Sequence, residues 1–264
     1  MRILVVGDLH GDASTAGVAR FDDVARSLRT AADLAVEERC DGLVQLGDLC
    51  DPGPQASRCA ALAIEVASKL SRAGIWNRWL VGNHDVVEDG AGLSTLAPLA
   101  RFGEAQHEAG LVPAGWKAAP VRPLCAVWSG PTAEFLDHER WAVALPYPAR
   151  GVGYDPVEFV RELRVGDEVR GMDLLPRERV LVFGHLVVPG MQPGGETLDM
   201  PRGREVLFPV AECLARWGER CVLVDGHYHR ASRRADGPVL VPGSVERLTK
   251  GEAGNTPGVL LLEV

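Results

Sequence analysis

The chain has 264 residues, 46% of them hydrophobic and 24% charged, and a net charge of −8 at pH 7. This composition fits a soluble chain long enough to bury a sizeable core and excludes a disordered one, and the acidic balance weighs against a nucleic-acid partner held by surface charge alone, although bound divalent cations would reverse the sign locally. No apolar run spans a bilayer and Met1 to Gly11 lacks the length and cleavage site of a signal peptide, so a cytoplasmic protein without membrane contact is expected; its six cysteines form no CxxC pair and are expected to be reduced and mostly buried.

Ile3 to Val6 is a short apolar run closed by Gly7-Asp8, which fits a buried strand. Phe21, Val24, Leu28, Ala32 and Ala35 then recur at steps of three and four, predicting an amphipathic helix. "DGLVQLGDLCD" is a second strand, broken at Gly47-Asp48, and "ASRCAALAIEVASKLSRAG" a second helix with Gly74 as its stop. "IWNRWLVGNHD" repeats the pattern of strand and polar turn. The first 85 residues therefore read β-α-β-α-β, the order of a parallel sheet with right-handed crossovers. Residues 88–123 are rich in Gly, Ala and Pro and are assigned a short helix and loops. Farther on, "LCAVWSG" and "RWAVALPYP" read as strands, "DPVEFVRELR" as a helix, "RVLVFGH" as a strand and "PGMQPGGETLDMPRG" as a long loop. "PVAECLARWG" has helical period; "RCVLVDGHYHR", "GPVLVPGSVERL" and "GVLLLEV" are the closing strands.

Five of these strands end in one kind of turn: Gly7-Asp8-Leu9-His10, Gly47-Asp48, Gly82-Asn83-His84-Asp85, Gly184-His185 and Gly226-His227-Tyr228-His229. In open α/β sheets, ligands bind at the carboxyl ends of strands, so these turns can meet on one rim. Five of the seven histidines lie in them; His107 and His138 are left as surface or core residues. Aspartate, histidine and asparagine without cysteine suit manganese, iron or zinc better than calcium. Asp48 is the candidate for a carboxylate bridging two ions. Singly, each residue has a plainer explanation: Asp8 or Asp48 as a helix cap, Asn83 as a turn former, His185 as a satisfied core histidine. Taken together and in this order, the five turns are hard to produce from capping preferences.

The blocks DxH, GD, GNHD, H and GHxH resemble the calcineurin-like metallophosphoesterase superfamily. The resemblance implies a four-layer α/β/β/α sandwich, two mixed sheets flanked by helices, as a single domain over residues 1–264. It implies two divalent ions, manganese foremost and iron or zinc as alternatives. One would be held by Asp8, His10, Asp48 and His229, and the other by Asp48, Asn83, His185 and His227. His84 would face the scissile phosphate as general acid or charge stabiliser, with Asp85 orienting it, and a hydroxide bridging the ions would attack. "GDLCDPG", "VFGHLVVPGM", "VDGHYHRA" and above all "VPGSVERLTKGEAGNTPGVLLLEV" resemble a narrower branch, the double-strand-break repair nuclease subunit SbcD and its archaeal and eukaryotic counterparts. That branch implies a manganese-dependent DNA exo- or endonuclease, with DNA, a coiled-coil ATPase and a second copy of the chain as partners. The DNA-capping and ATPase-binding regions of such nucleases are absent from these 264 residues.

Arg230, Arg233 and Arg234 follow the last histidine pair and are the candidates for substrate phosphates, with an ordinary charged surface loop as the plainer alternative. Two other functions stand beside the nuclease: a phosphodiesterase or phosphatase for a small nucleotide, an RNA or a phosphoprotein, which the acidic pI favours, and a non-catalytic module. A mere scaffold has no need of eight polar residues on the strand ends.

Overall fold

The computed structural model describes residues 1–86, 94–109, 123–137, 139–148, 153–163, 178–191, 206–234 and 239–264. Its first half follows the predicted alternation. β1 (Arg2–Val6) leads through a small hairpin, β2 (Ser14–Thr15) and β3 (Val18–Ala19), into α1 (Phe21–Glu37). β4 (Gly42–Gln45), α2 (Ala56–Arg72) and β5 (Trp76–Leu80) follow, then α3 (Ala97–Glu108) and β6 (Cys125–Trp128). β1, β4, β5 and β6 are parallel neighbours, and β13 (Leu260–Glu263) closes the sheet antiparallel to β1.

The second sheet runs β11 (Ser232–Arg233), β12 (Val239–Val241), β10 (Cys221–Asp225), β9 (Arg179–Gly184), β8 (Arg140–Leu145), β7 (Thr132–Asp137). Its four inner strands are parallel, and β7 and β11 are antiparallel edges. Among the described residues two helices accompany it, α4 (Pro156–Glu162) and α5 (Val210–Trp217). Asp155 starts α4 by accepting hydrogen bonds from the amides of Val157 and Glu158.

Three apolar layers hold the four layers of structure together. The helices α1 and α2 pack Val24, Leu28, Leu62 and Val66 onto Leu4, Val6 and Trp79 of the first sheet. The two sheets meet over Ile3, Val5, Val44, Trp76 and Leu80 on one side and Leu181, Phe183 and Val224 on the other. Beyond the second sheet, Val180, Val182 and Leu223 pack with Val160, Val210, Cys213 and Trp217 of α4 and α5. Strands covered on both faces have no polar side to show, which is why β1 and β10 read as unbroken apolar runs. This is the expected α/β/β/α sandwich. All six cysteines are buried and unpaired. Among the described residues no helix is long and apolar enough to cross a membrane.

Some elements were not legible in the sequence. Neither β7 nor the β2–β3 hairpin, in which Val18–Ala19 pairs with Ser14–Thr15, was predicted. The helix expected within residues 88–123 is α3; residues 110–122, His138 and most of the loop 189–203 lie outside the described residues. His107 is exposed near the end of α3, as a surface residue.

An ion pair crosses the apolar seam between the sheets. Arg78 of β5 is fully buried, and its Nε lies 2.5 Å from Glu134 Oε1 of β7. Its Nη1 donates to the carbonyls of Asn77 and Pro123. Removing one partner leaves a charge in an apolar layer, at a cost of about 3–5 kcal/mol. Glu134→Ala should therefore lower the free energy of unfolding in urea by about 3 kcal/mol. A loss below about 1 kcal/mol would mean that water reaches Arg78.

Candidate metal centre

The five turns do converge. β1, β4 and β5 deliver Asp8, His10, Asp48, Asn83 and His84 from the first sheet, and β9 and β10 deliver His185, His227 and His229 from the second. The backbone is bent sharply to do this: His10, Asp48 and His227 all have positive φ, at 44°, 54° and 63°. Such conformations cost non-glycine residues about 1 kcal/mol or more each and persist only where the surroundings dictate them. Gly82 lets the Asp48 loop come close, since a Cβ there would lie 2.2 Å from Asp48 Oδ1.

Asp85 holds the rim together. Its carboxylate is fully buried and accepts hydrogen bonds from the amides of Gly82, Asp48 and Leu49, each at 2.9 Å, with Cys50 at 3.3 Å and the Thr95 hydroxyl at 3.0 Å. Burial, helped by the charge of Asp48, pushes its pKa up to about 7, against the pull of those amides. All these bonds run to the two loops and to Thr95, and none to the His84 ring. The expectation that Asp85 orients His84 is thus corrected: Asp51 does so, with Oδ1 2.6 Å from His84 Nδ1. Asp85 fixes the loop on which His84 sits. The only sequence signal for Asp51 was its place three residues after Asp48 in "GDLCDPG".

Asp48 sits at the middle of the cluster. Its Oδ1 accepts from the His84 amide at 2.9 Å, while Oδ2 lies 3.1 Å from His185 Nε2 and 3.6 Å from His10 Nε2. Around it the donors fall into two overlapping groups. On one side His10 Nε2 is 3.0 Å from His229 Nε2, and His229 Nε2 is 4.0 Å from Asp8 Oδ2. On the other, Asn83 Oδ1 is 3.0 Å from His185 Nε2 and 3.1 Å from His227 Nδ1. His185 donates its Nδ1–H to the Leu46 carbonyl at 2.7 Å, which turns Nε2 toward Asp48 and Asn83. The tightest clusters of possible metal ligands among the described residues are His10–Asp48–His84 and Asp8–Asp48–His185; they divide the donors differently, with His84 beside His10 and Asp8 beside His185, and Asp48 belongs to both.

The residues fit cations. Asp8, Asp48, Asp85 and Asp225 are four carboxylates no more than 2% exposed, gathered at one rim. Asp8 Oδ2 and His227 Nε2 are buried with no hydrogen-bond partner among the described residues. Burial raises the pKa of Asp8 and, well above the usual range, that of Asp225. Burial likewise pushes His10 and His227 down to about 3, so their rings are neutral and carry lone pairs. Burial opposes a charge on His185, but Asp48 and Asp8 outweigh it and raise that ring to about 10, so a cation entering the cluster would take the place of its proton against the buried carboxylates. Donor atoms that share one ion about 2.1 Å away stand about 3–3.5 Å apart; His10–His229, Asn83–His185 and Asn83–His227 lie at 3.0, 3.0 and 3.1 Å, and His10–Asp48 and His229–Asp8 are wider at 3.6 and 4.0 Å.

His84 is placed differently. Its side chain is 43% exposed at the mouth of the cluster. Burial opposes its charge, but the hydrogen bond to Asp51 and the field of Asp48 outweigh it and raise the pKa to about 9. Arg230 and Arg233 are exposed and Arg234 half-buried on the segment leaving His229. Two buried carboxylates escaped the sequence reading. Asp225 accepts from the Leu186 amide at 3.0 Å, tying the β10 turn to the β9 turn. Glu252 reaches His229.

With this geometry in view, the sequence matches the family model for calcineurin-like phosphoesterases over residues 1–231. The chain belongs to the calcineurin-like phosphoesterases. The matched span contains every residue of the two donor groups. A search of curated proteins by sequence finds no significant match. Among solved structures, the fold is similar to TT1561 of Thermus thermophilus, at TM-score 0.51 and 14% identity over 92% of this chain and 89% of that one. A dimetal phosphatase from Danio rerio is similar at TM-score 0.53 and 14% identity, over 92% and 87%. These likenesses are of fold. Calcineurin-like phosphoesterases are dinuclear metal hydrolases, and the shared Asp48 suits that arrangement.

Metal binding should be visible as stability. A divalent cation at about 100 times its Kd should stabilise the chelator-stripped protein by about 2.7 kcal/mol per ion, read by thermal melting. Asp48→Ala should abolish most of that gain for both ions at once. Metal analysis finding two ions per chain in Asp48→Ala would exclude a shared ligand.

Proposed function

We propose that this calcineurin-like phosphoesterase is a manganese-dependent phosphodiesterase that cuts DNA in the manner of the SbcD nuclease subunit. One observation carries the hydrolytic part: two clusters of possible ligands, His10–Asp48–His84 and Asp8–Asp48–His185, that share Asp48, with the His84 side chain partly open to solvent. Asp8, His10, Asp48 and His229 would hold one ion, and Asp48, Asn83, His185 and His227 the other. The all-nitrogen-and-oxygen donor set favours manganese, with iron or zinc as alternatives. Two bound ions supply an activated water at neutral pH and stabilise charge on the phosphoryl oxygens.

The chain's own part is positioning and proton transfer. Asp51 takes the His84 Nδ1–H, so Nε2 is left to face the substrate. A proton on Nε2 can pass to the leaving oxygen, or its charge can stabilise the transition state. The Asp48 carboxylate holds the His84 amide, which ties the ring's position to the ligand cluster. Arg230, Arg233 and Arg234 would meet the phosphates of the strand. DNA as substrate is supported by the likeness of Pro242 to Leu248, "PGSVERL", to the SbcD branch. The net charge of −8 favours a second reading, a small phosphodiester or nucleotide as substrate, which needs few basic contacts.

The test is cleavage of end-labelled duplex and single-stranded DNA with manganese, beside bis-p-nitrophenyl phosphate. DNA should be degraded, and His84→Gln should keep its metal while losing roughly a hundredfold or more in turnover. Hydrolysis of the small diester alone would overturn DNA as substrate, and full turnover by His84→Gln would remove that ring from the chemistry.

Binding offers a separate check. If Arg233 and Arg234 each neutralise a phosphate, replacing both with Gln should reduce the slope of log K against log salt by about 1.4 on single strands and about 1.8 on duplex. An unchanged slope would leave them as ordinary surface charges.

A further inference from the structure

The segment from Ser244 to Asn255 folds around one member of the donor cluster. The His229 carbonyl accepts from the Ser244 amide at 3.1 Å and from Asn255 Nδ2 at 3.3 Å. On the ring side, His229 Nδ1 lies 3.2 Å from Glu252 Oε1. Glu252 sits in a single 3-10 turn, Lys250–Glu252, and is fully buried. Its two oxygens have separate work. Oε2 accepts from the Leu248 amide at 2.9 Å, which closes the turn. Oε1 accepts from the Thr249 hydroxyl at 3.0 Å and faces the imidazole.

A turn can be closed by an exposed side chain or by water. A carboxylate buried against an imidazole does something more specific: it demands a proton on the near nitrogen. With Nδ1–H directed at Glu252, the lone pair of His229 sits on Nε2, and Nε2 is the atom 3.0 Å from His10 Nε2. Partners of this kind orient metal-bound histidines and raise their basicity.

We propose that Glu252 is a positioning residue for the ion that His10 and His229 share, fixing the His229 tautomer from a segment beyond the matched family region. The inference rests on the metal-site reading above. It also gives the "KGEAGN" stretch, Lys250 to Asn255, a physical task.

The experiment is manganese titration of the stripped full-length protein by calorimetry, with the His229 tautomer read by 15N NMR in the metal-free state. Glu252→Gln is nearly isosteric but cannot accept at both oxygen positions. It should weaken one of the two ions by about 10–100-fold and leave the other unchanged. In the NMR spectrum His229 should move from the Nδ1–H form toward Nε2–H. Glu252→Asp keeps the charge one methylene short and should fall between wild type and Glu252→Gln, which guards against a variant that fails to fold. Unchanged affinity for both ions with an unchanged tautomer would overturn the proposal, as would equal weakening of both ions. If the wild type binds no ion at all, the metal-site reading itself fails, a result distinct from wild-type binding that Glu252→Gln leaves intact.

Discussion

One buried carboxylate organises the rim of this molecule. Asp85 accepts from the amides of its own loop at Gly82 and of the neighbouring loop at Asp48, Leu49 and Cys50. Those bonds hold Asp48 in a left-handed conformation that an aspartate rarely adopts, at φ 54°. In that conformation one carboxylate faces the His84 amide with Oδ1 and two imidazoles with Oδ2. The strain is local, and it is opposed by several amide hydrogen bonds in a site closed to water. Without Asp85 the loop after β4 would keep its bonds to the amides of Leu9, His10 and Gly11 and to Asp12, and the ligand that both donor groups share would lose the tie of its own amide to the Asn83 loop.

The second constraint is the seam between the sheets. Asp8, His10, Asp48 and Asn83 belong to one sheet, and His185, His227 and His229 to the other. Their spacing is therefore set by how the sheets lie on each other. The packed layer of Trp76, Leu80, Phe183 and Val224 resists sliding because side chains interdigitate at near-crystalline density. The Arg78–Glu134 pair adds a directional tie across that seam. At the rim itself, the His185 ring donates to the Leu46 carbonyl and the His227 amide to the Asp8 carboxylate, pinning one sheet to the other.

What could be read from sequence was what has a local signature. Apolar runs of four or five residues ended by Gly and a polar residue marked the strands that carry Asp8, Asp48, Asn83, His185 and His227. Helical spacing marked α1 and α2. The rest depended on contacts between distant positions. The sequence pointed to Asp85 as the partner of His84, and only the path of the loop after β4 brings Asp51, 33 residues away in the chain, to its ring. Glu252, 23 residues from His229, has no periodic neighbour to announce it. β7 escaped notice because "TAEFLD" mixes polar and apolar residues, its Glu134 pointing inward to Arg78.

The pairing of β13 with β1 has a kinetic side. The first strand is flanked by β4 on one edge and by the last strand on the other, and the Met1 ammonium donates to the carbonyl of Val264 at 2.7 Å. A chain emerging from the ribosome can form β1, β4 and β5 early, but their sheet keeps an open edge until residue 260 has been made. Pairings of such long sequence separation form slowly and leave strand edges bare in the meantime. The donor cluster is subject to the same delay, since its histidines at 185, 227 and 229 arrive late. The donor cluster therefore waits on residue 229, and a nascent chain truncated before β9 would hold Asp8, His10, Asp48 and Asn83 without His185, His227 and His229.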